Sequence, residues 1–428
     1  MTSERADLLE LFPHGTVLDD DGVLVIGGCR LTELAATYGT PTYVVDEAAL
    51  RRQARRYVDG LRARRPASHV AFASKSFPCT AVYRLMAEEG LALDVAGGGE
   101  LVMALASGAE PASIVMHGNA KTDDELRQGL AAGVGTIVVD NFDDLDRLES
   151  MLTRRQNVLL RVIPGVRAET QDAISTGHHG SKFGLSLDQA SNAIDRMRRH
   201  PLIELLGLHL HVGSQILDSA PFAEAVKAVS GLGEFDVYDI GGGLGVRYTY
   251  TEHPPSIEEY LDVITAAASE HLPDSAQLWI EPGRSLVAQS QVTLYRVVTV
   301  KHGNPTFVAV DGGIADNFEA SSYMGQRFEA TLVDRVGGGD PVELVGRQCE
   351  SGDLFASDLP LQDPRPGDLL AVPMTGAYNH TLANQYNGAL RPPVVFCRDG
   401  EARAVVRRDT YDDLLSRDVP PGRGPQAG

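Results

Sequence analysis

The chain has 428 residues, and its 38 basic and 58 acidic side chains give a formal net charge of −20. Nucleic-acid binders and polybasic membrane-surface proteins need a basic footprint, so this composition excludes both classes. No apolar run is long enough to cross a bilayer, the N-terminus shows no secretory leader, and the four cysteines lack a CxxC spacing. We therefore expect a cytoplasmic globular protein of roughly two to three domains, without a disulfide framework.

The first part of the chain changes from short strands to a regular alternation of strands and helices. Strand-like runs lie at 15–18, 22–26 and 41–45, and an amphipathic helix is predicted over 47–64. Eight apolar runs then alternate with helix candidates; the runs lie at 69–74, 90–95, 113–117, 135–140, 157–163, 205–212, 235–240 and 277–281, and the helices at 80–89, 98–107, 122–132, 143–154, 186–199, 219–232 and 256–271. Eight βα units predict a (β/α)8 TIM-like barrel, with a doubly wound open sheet as the alternative.

After residue 281 strand-like runs follow one another without helices between them, which indicates a mostly β C-terminal domain. These runs lie at 286–299, 306–311, 342–345, 368–373 and 393–397. We therefore predict an α/β chain in four parts: an N-terminal segment at 1–45 that joins the β domain, the barrel at 46–290, the β domain at 291–415 and a disordered tail at 416–428.

The first predicted barrel strand ends at Lys75, one of only five lysines in the chain. In barrels of this kind the active site lies at the carboxyl ends of the strands, so polar residues at these positions are candidates for chemistry. A lysine that is removed from water loses proton affinity and becomes a nucleophilic amine. A solvated lysine at the barrel rim is the alternative interpretation.

The seventh strand runs into Gly241–Gly243, and Arg284 follows the eighth strand. Glycines let backbone N–H groups approach a phosphate, and the loops after strands seven and eight are the usual phosphate corner of the barrel. The run is not a dinucleotide fingerprint, because Val246 and Tyr248 occupy the positions where the last glycine would stand. A phosphate cradle and a tight barrel turn both fit this pattern.

Glu281 ends the last barrel strand, where an unpaired carboxylate would be costly to bury. Its partner could be Arg284 or a cationic ring nitrogen. We expect His209 and His211 of the sixth strand to point to opposite faces, one imidazole at the barrel mouth and the other packed outside. The adjacent His178 and His179 lack a ligand pattern, and no metal site is predicted.

A lysine, a phosphate cradle, a carboxylate and a histidine at one barrel mouth together predict a pyridoxal phosphate site. The lysine would bond covalently to the cofactor. The carboxylate would keep the pyridine nitrogen protonated, so that the ring can accept electrons.

The sequence resembles the fold-type III pyridoxal-phosphate decarboxylases, and most closely the diaminopimelate decarboxylases, over about residues 40–400. The segments that match lie in the family's order at 72–76 (FASKS), 93–100 (LDVAGGGE), 117–122 (HGNAKT), 174–177 (ISTG), 181–184 (SKFG), 207–215 (GLHLHVGSQ), 239–245 (DIGGGLG), 281–285 (EPGRS), 349–353 (CESGD) and 376–378 (GAY). Any one segment is a weak signal, whereas the ordered series is specific.

The resemblance implies roles for residues at these positions. Lys75 would hold the cofactor, His211 would stack on its pyridine ring, and Glu281 would pair with the ring nitrogen. Ser214, the three glycines and Arg284 would bind the phosphate, with help from Tyr378. The full set of implied cofactor-binding residues is Lys75, Asp94, His211, Ser214, Gly241, Gly242, Gly243, Glu281, Gly283, Arg284 and Tyr378.

The resemblance further implies a homodimer whose active sites are shared between subunits. The Cys349–Asp353 segment of one chain would complete the site of the other, with Cys349 as the candidate proton donor beside Glu350. The implied catalytic residues are Lys75, His211, Glu281 and Cys349, and the implied substrate-binding residues are Arg284, Glu319, Tyr323, Glu350 and Tyr378. A non-catalytic homologue would be expected to lack Lys75 or this segment, and a racemase would need a second base opposite the lysine.

One position departs from the diaminopimelate decarboxylase pattern. After the Asp-Gly-Gly motif that family carries an arginine that grips the distal end of diaminopimelate, followed by a proline. Gapless alignment places Glu319 and Ala320 there, while Tyr323 is retained. A carboxylate would repel the distal carboxylate of the substrate, and the loss of a bidentate charged contact weakens binding strongly.

We therefore expect α-decarboxylation of an amino acid in a biosynthetic pathway, and favour an acidic amino acid tethered to an acyl carrier protein, as in natural-product pathways. The tether would mask the distal carboxylate, so an arginine would not be needed. The alternatives are meso-diaminopimelate, with Arg327 or Arg347 supplying the missing charge, and a basic amino acid such as lysine or ornithine, whose distal amine Glu319 could bind.

Overall fold

The computed structural model describes residues 8–166, 181–321 and 324–419. The chain divides into two compact units. The barrel unit comprises Ala48–Ala288 and Gly376–Thr381, and the β unit comprises Met1–Glu47, Gln289–Thr375 and Leu382–Gly428. Within the described ranges, none of the helices combines the length and the apolar character that a bilayer crossing requires.

The β unit begins with a three-stranded antiparallel sheet made of β1 (Val17–Leu18), β2 (Leu24–Ile26) and β3 (Cys29–Arg30), followed by helix α1 (Leu31–Tyr38) and strand β4 (Thr42–Asp46). The sequence analysis assigned only strands to this segment, so it missed α1. Leu31, Leu34 and Ala35 are buried at helical spacing, and α1 packs through them into the core of the β unit.

The barrel unit follows as regular βα repeats. Its elements are α2 (Glu47–Arg64), β5 (Ser68–Ala73), α3 (Thr80–Glu88), β6 (Ala92–Val95), α4 (Gly98–Ala106), β7 (Ile114–Met116), α5 (Asp123–Ala132), β8 (Thr136–Val139), α6 (Phe142–Met151), β9 (Gln156–Ile163), β10 (Leu185–Ser186), α7 (Leu187–Arg199), β11 (Ile203–His209), α8 (Ala220–Ser230), β12 (Val237–Asp239), α9 (Ile257–His271), β13 (Gln277–Ile280) and α10 (Arg284–Val287).

Eight of these strands pair in parallel and close on themselves. The order runs β5-β6-β7-β8-β9-β11-β12-β13, and β13 returns to β5 through the pairing of Leu278 with Ser68. The predicted (β/α)8 barrel is therefore confirmed, and the open sheet is wrong. Close strand contacts explain Gly207, because a Cβ at that position would lie 1.7 Å from the carbonyl oxygen of Val237 on β12.

Local signals place several of the barrel helices. Thr122 caps α5 in a capping box with Glu125, and Ser256 caps α9 in the same way with Glu259. The strands are short and almost wholly buried; every residue of β6, β7 and β8 is buried. Strands covered on both faces read as continuous apolar runs, which is why the sequence located them well.

The remaining elements are strands joined by short loops and two short helices. They are β14 (Gln291–Lys301), β15 (Phe307–Val310), β16 (Thr331–Leu332), β17 (Asp340–Val345), β18 (Leu354–Leu361), β19 (Leu369–Val372), α11 (Asn379–Leu382, whose last residue alone lies in this unit), β20 (Val394–Arg398), β21 (Glu401–Val406) and α12 (Tyr411–Leu415). The main sheet has the order β18-β17-β15-β14-β4-β20-β21, so β4 from the N-terminal segment is an inner strand.

Two predicted boundaries differ from the structure. The strand expected at 286–299 starts only at Gln291, because Arg284–Val287 are helical; a short apolar run does not distinguish the two. Residues 376–381 were assigned to the β domain but belong to the barrel unit. Of the tail predicted to be disordered at 416–428, residues 420–428 lie outside the described part of the chain.

Candidate active site at the carboxyl ends of the barrel strands

A cavity of about 250 Å³ lies at the carboxyl ends of the barrel strands. Every residue that lines it belongs to the barrel unit. Of the residues predicted from the sequence, those lining the cavity are Lys75, Asp94, His211, Ser214, Gly242, Gly243, Glu281, Gly283, Arg284 and Tyr378. Residues distant in sequence are thus brought together by closure of the barrel.

Lys75 lies in a single 3₁₀ turn, Ser74–Ser76, directly after β5. Its backbone carbonyl accepts a hydrogen bond of 2.8 Å from Thr381 Oγ1, and the carbonyl of Ser76 accepts one of 2.8 Å from Tyr378 N. The lysine side chain itself is exposed. We expected a lysine removed from water, but Lys75 is exposed in the single chain. Its position at the cavity is what makes it a candidate for chemistry.

The glycine run after β12 forms a tight turn at the edge of the cavity. Gly241 and Gly243 have φ angles of +68° and +122°, which favour glycine. A Cβ at Gly242 would lie 2.2 Å from the carbonyl oxygen of Glu281, so no side chain fits there. Asp239 Oδ1 accepts a 2.9 Å hydrogen bond from Gly241 N and holds the start of the turn. The turn therefore offers bare backbone to a ligand.

Arg284 is 7% exposed and is held by its neighbours at the same corner. Its Nη1 donates to the hydroxyl of Tyr248 at 2.5 Å, and its Nε and Nη2 lie 3.4 Å from Ser214 Oγ. The guanidinium also stacks 4.6 Å from the centre of the Tyr378 ring. A fixed guanidinium beside bare backbone suits a phosphate group.

Tyr248 is a residue whose part in this corner the sequence analysis missed. It attracted notice only because it breaks a dinucleotide fingerprint. Its hydrogen bond to Arg284 depends on the path of the loop after β12, which no local pattern encodes.

Glu281 is buried at the base of the cavity and binds two imidazoles. His117 Nε2 donates to Oε1 at 2.7 Å, and His209 Nε2 donates to Oε2 at 3.1 Å. Arg284, the protein partner considered from the sequence, is not the group that pairs with it. Burial alone would raise the pKa of Glu281, but His117 and His209 outweigh burial and hold it well below its usual value. The carboxylate therefore stays ionised.

The ionisable groups around Glu281 have pKa values shifted in different directions. Burial raises the pKa of Asp94 to about 7, with His117 opposing the shift from 3.6 Å and Glu281 adding to it. Burial would lower the pKa of His117, but Asp94 and Glu281 reverse the shift and raise it. Burial lowers the pKa of His209 to about 4. Of the two imidazoles, His117 is therefore the one that more readily carries a proton.

The structure corrects the expectation for the two histidines of the sixth strand. Both His209 and His211 line the cavity, because residues two apart along an extended chain point to the same side, so the expectation of opposite faces was wrong. Burial, reinforced by the nearby charge of Lys75, places the pKa of His211 well below its usual value. A neutral imidazole at the cavity wall can pack against a flat ring.

Eight lining residues were not among the predicted site residues, and those with ionisable or aromatic side chains are His117, Arg161, Phe183 and His209. The guanidinium of Arg161 lies 4.4 Å from the centre of the Phe183 ring, and burial lowers the pKa of Arg161. His117 and Arg161 both stand at predicted strand ends, so the rule that identified Lys75 could also have found them. Phe183 lies in the loop after β9, away from a predicted strand end, so that rule does not identify it.

His117, His209 and Glu281 also offer donor atoms within 4.8 Å of one another, a spacing that a metal ion could use. These atoms already hydrogen bond to each other across the base of the cavity. Their arrangement is fully accounted for by those bonds.

Other predicted residues lie in the β unit. Glu319 is buried in the 3₁₀ turn Phe318–Ala320, and Cys349 is exposed, with its backbone N–H bonded to Asn387 Oδ1 at 2.8 Å. Glu350 follows Cys349 in the same loop. Tyr323, the matching segment at 174–177 and the pair of histidines at 178–179 lie outside the described residues.

The cavity fits pyridoxal phosphate. The bare turn at Gly241–Gly243 and the fixed guanidinium of Arg284 suit its phosphate, and the ionised Glu281 suits a protonated ring nitrogen. Lys75, at the cavity edge, carries the primary amine that such a cofactor bonds. The donor set therefore matches the group expected from the sequence.

Comparisons with known proteins agree with this geometry. Residues 47–288 match the family model described as pyridoxal-dependent decarboxylase, pyridoxal binding domain. The chain is 45% identical to a diaminopimelate decarboxylase of Actinosynnema pretiosum subsp. auranticum over 98% of both chains, and 42% identical to one of Bacillus subtilis over 96% and 98%. A solved diaminopimelate decarboxylase of M. jannaschii in complex with L-lysine superposes with a TM-score of 0.89 at 30% identity, covering 96% of this chain and 98% of that one.

These matches confirm the resemblance found in the sequence, the cofactor and the class of reaction. The matched residues enclose almost all of the cavity, so the similarity extends to the site as well as to the fold. The chain belongs to the pyridoxal-dependent decarboxylases.

Proposed function

We propose that this enzyme is a diaminopimelate decarboxylase, which removes one α-carboxylate of diaminopimelate as CO₂. The observation that carries the proposal is the identity with relatives of that name along nearly the whole of both chains. The M. jannaschii structure was solved with L-lysine, the amino acid that this decarboxylation yields. The carrier-tethered substrate favoured from the sequence has no such support among the relatives.

The bound cofactor would supply an electron sink for the bond that breaks. The residues of the chain would do the rest. The glycine turn and Arg284 would hold the phosphate, and the ionised Glu281 would favour a protonated ring nitrogen. Lys75 would supply the primary amine that bonds to the cofactor. A proton must then reach the α-carbon after CO₂ leaves.

For that proton we propose Cys349 of a second subunit, with Glu350 beside it, in a homodimer with shared sites. Its support is the exposure of Cys349, which leaves the thiol open to a partner. Mixing the inactive variants Lys75→Ala and Cys349→Ala tests the arrangement, because mixed dimers regain one intact site. Activity that appears on mixing supports it, and a mixture as inactive as its components refutes it.

The position of Glu319 favours two other substrate classes. This carboxylate is 5% exposed and stands where the resemblance places an arginine for the distal carboxylate. A substrate whose distal carboxylate is masked, such as an acidic amino acid held as a thioester on an acyl carrier protein, would not require that arginine. A substrate with a distal amine would gain from the glutamate.

The deciding experiment measures CO₂ release from the purified holoenzyme with a panel of substrates. The panel holds meso-diaminopimelate, lysine, ornithine, arginine, glutamate and aspartate, and the last two also as carrier-protein or pantetheine thioesters. Turnover of free diaminopimelate, well above all other members, supports the proposal. Turnover of a thioester with free diaminopimelate inert refutes it in favour of the masked substrate, and turnover of lysine or ornithine favours the distal amine.

The variant Glu319→Arg sharpens the outcome, with Glu319→Gln as the matched control for removal of the negative charge. If the masked substrate is correct, the arginine should create activity on diaminopimelate and weaken turnover of the thioester. If diaminopimelate is the native substrate, neither variant should raise kcat/KM for it by more than a few-fold, because another group already grips its distal end.

A further inference from the structure

We propose that Lys121 is a positioning residue for the cofactor site, whose buried ammonium group fixes the loop from His117 to Thr122 against the wall of the barrel. This inference depends on the cofactor but not on the identity of the substrate. The loop connects β7 to α5, and its first three residues, His117, Gly118 and Asn119, line the cavity. None of the roles argued above requires Lys121.

The ammonium group of Lys121 makes a complete set of contacts. Its Nζ donates to Asp144 Oδ2 at 2.7 Å, to the carbonyl oxygen of Gly118 at 2.8 Å and to that of Val138 at 2.7 Å. An ammonium group has three N–H donors, so each has one acceptor. Lys121 is 2% exposed and the side chain of Asp144 is 1% exposed. Three elements, the loop, β8 and α6, are tied at one point.

Burying a charged group costs free energy, and an apolar side chain of similar volume would not carry that cost. Burial lowers the pKa of Lys121, and Asp144 acts against that shift. A buried pair often adds little net stability compared with apolar side chains of similar volume. The pair is therefore better explained by the geometry that it enforces than by stability.

That geometry concerns the turn at Gly118. The residue has a φ of +124°, and a Cβ there would lie 2.9 Å from Cγ of Lys121. The lysine stem thus packs directly over the glycine while its ammonium group holds the glycine carbonyl. These two contacts of one side chain restrict the turn, and the adjacent His117 Nε2 lies 2.7 Å from Glu281 Oε1.

A second contact secures the other side of the loop. Asn141 Nδ2 donates to the carbonyl oxygen of Asn119 at 3.0 Å, while Asn141 Oδ1 caps α6 by accepting from Asp144 N at 2.9 Å. Asp144 Oδ2 also accepts from the backbone N–H of Asp140 at 3.2 Å. The start of α6 therefore holds both the loop and the lysine that secures it.

The test separates positioning from stability. Lys121→Met alone leaves Asp144 buried without its partner and is expected to destabilise the fold. The double variant Lys121→Met/Asp144→Leu removes both charges and should recover the melting temperature, yet it leaves the carbonyl of Gly118 without its donor. The cofactor-free form of each variant is titrated with pyridoxal phosphate, and the melting temperature is measured alongside.

We expect the double variant to bind pyridoxal phosphate at least ~10-fold more weakly, the change that follows from losing hydrogen bonds to a charged group. Leu126→Ala is the matched control: Leu126 is fully buried on α5 and its side chain makes none of the hydrogen bonds described above, so its truncation lowers stability with those bonds in place, and its cofactor affinity should stay at the wild-type value. Wild-type affinity in the double variant would overturn the proposal, as would equal loss of affinity in the Leu126→Ala control.

A milder variant keeps the proposal testable if the double variant does not fold. Asn141→Asp retains the oxygen that caps α6 but cannot donate to the carbonyl of Asn119. We expect a weaker cofactor affinity with little change in melting temperature, and an unchanged affinity would count against the loop as a positioning element. Because affinity is read without substrate, either result is independent of which amino acid the enzyme consumes.

Discussion

The protonation of Asp94 offers a quantitative check on the electrostatics of the cavity. Its carboxyl is 6% exposed and lies 3.6 Å from His117 Nε2, and burial raises its pKa from 3.8 to about 7. The perturbation is Asp94→Asn, which keeps the shape of the side chain but cannot ionise. Comparing the two proteins across pH isolates the cost of holding a charge at this position.

The sign and the size follow from proton linkage. Between pH 3.8 and about 7 the folded chain binds a proton on Asp94 that the unfolded chain has released, so wild-type stability falls as pH rises through this window. At 1.36 kcal/mol per pKa unit the change amounts to at most about 4 kcal/mol. The asparagine variant lacks this loss, so it should gain stability relative to wild type as pH rises from 4 to 8.

His209 supplies a control of opposite sign. Its pKa is lowered to about 4, so the unfolded chain binds the extra proton between pH 4 and 6.5 and stability rises with pH there. His209→Gln should therefore lose stability relative to wild type as pH rises through that window. In the wild-type chain the two effects partly cancel.

The assay is urea unfolding of the cofactor-free chain at several pH values between 4.5 and 8, analysed as the difference between each variant and wild type. A difference for Asp94→Asn that drifts by ~1 kcal/mol per pH unit between pH 4.5 and 6 and levels off above pH 7 supports the reasoning. A difference that stays constant across the range would show that Asp94 is ionised in water-like surroundings, and the description of the cavity as desolvated would then be wrong.

Three further substitutions test other residues of the site. Lys75→Ala should remove the visible absorbance of the bound cofactor, and an unchanged spectrum would exclude Lys75 as the residue that bonds it. Tyr248→Phe deletes the hydroxyl that accepts from Arg284, so the dissociation constant for pyridoxal phosphate should rise by roughly 10-fold, measured by titration; wild-type affinity would mean that Arg284 needs no such support. Cys349→Ala should retain the cofactor but lower kcat by ~100-fold or more, the usual contribution of a positioned acid, and wild-type turnover would remove Cys349 from the mechanism.

Local patterns in the sequence were sufficient for the barrel and for most candidate residues. Strands covered on both faces are apolar throughout, and a capping box marks the first turn of a helix. The alternation of strands and helices could therefore be predicted from the sequence. Once a barrel is predicted, chemistry is expected at its strand ends, which led to Lys75, Asp94 and Glu281. The helix α1 was missed because its eight residues lie among short strands and turns.

The pairing of side chains was decided by the tertiary structure alone. His209 and His117 bind Glu281 from 72 and 164 residues away along the chain. His209 and His211 were expected on opposite faces, but residues two apart along a strand share a face, and both side chains line the cavity. The partners of Glu281, in contrast, depend on which strand ends the closed barrel brings together.

The sequence by itself thus determined the class of fold, from periodicity, and the cofactor, from residue types at strand ends, while the type of reaction followed from the ordered segments that resemble a known family. Only the tertiary structure decided that Glu281 pairs with two imidazoles, that Tyr248 supports Arg284, and that Lys121 is buried against Asp144. These contacts form when the barrel closes and the strand ends converge, and the resulting burial sets the charges of the site. No stretch of local sequence contains that information.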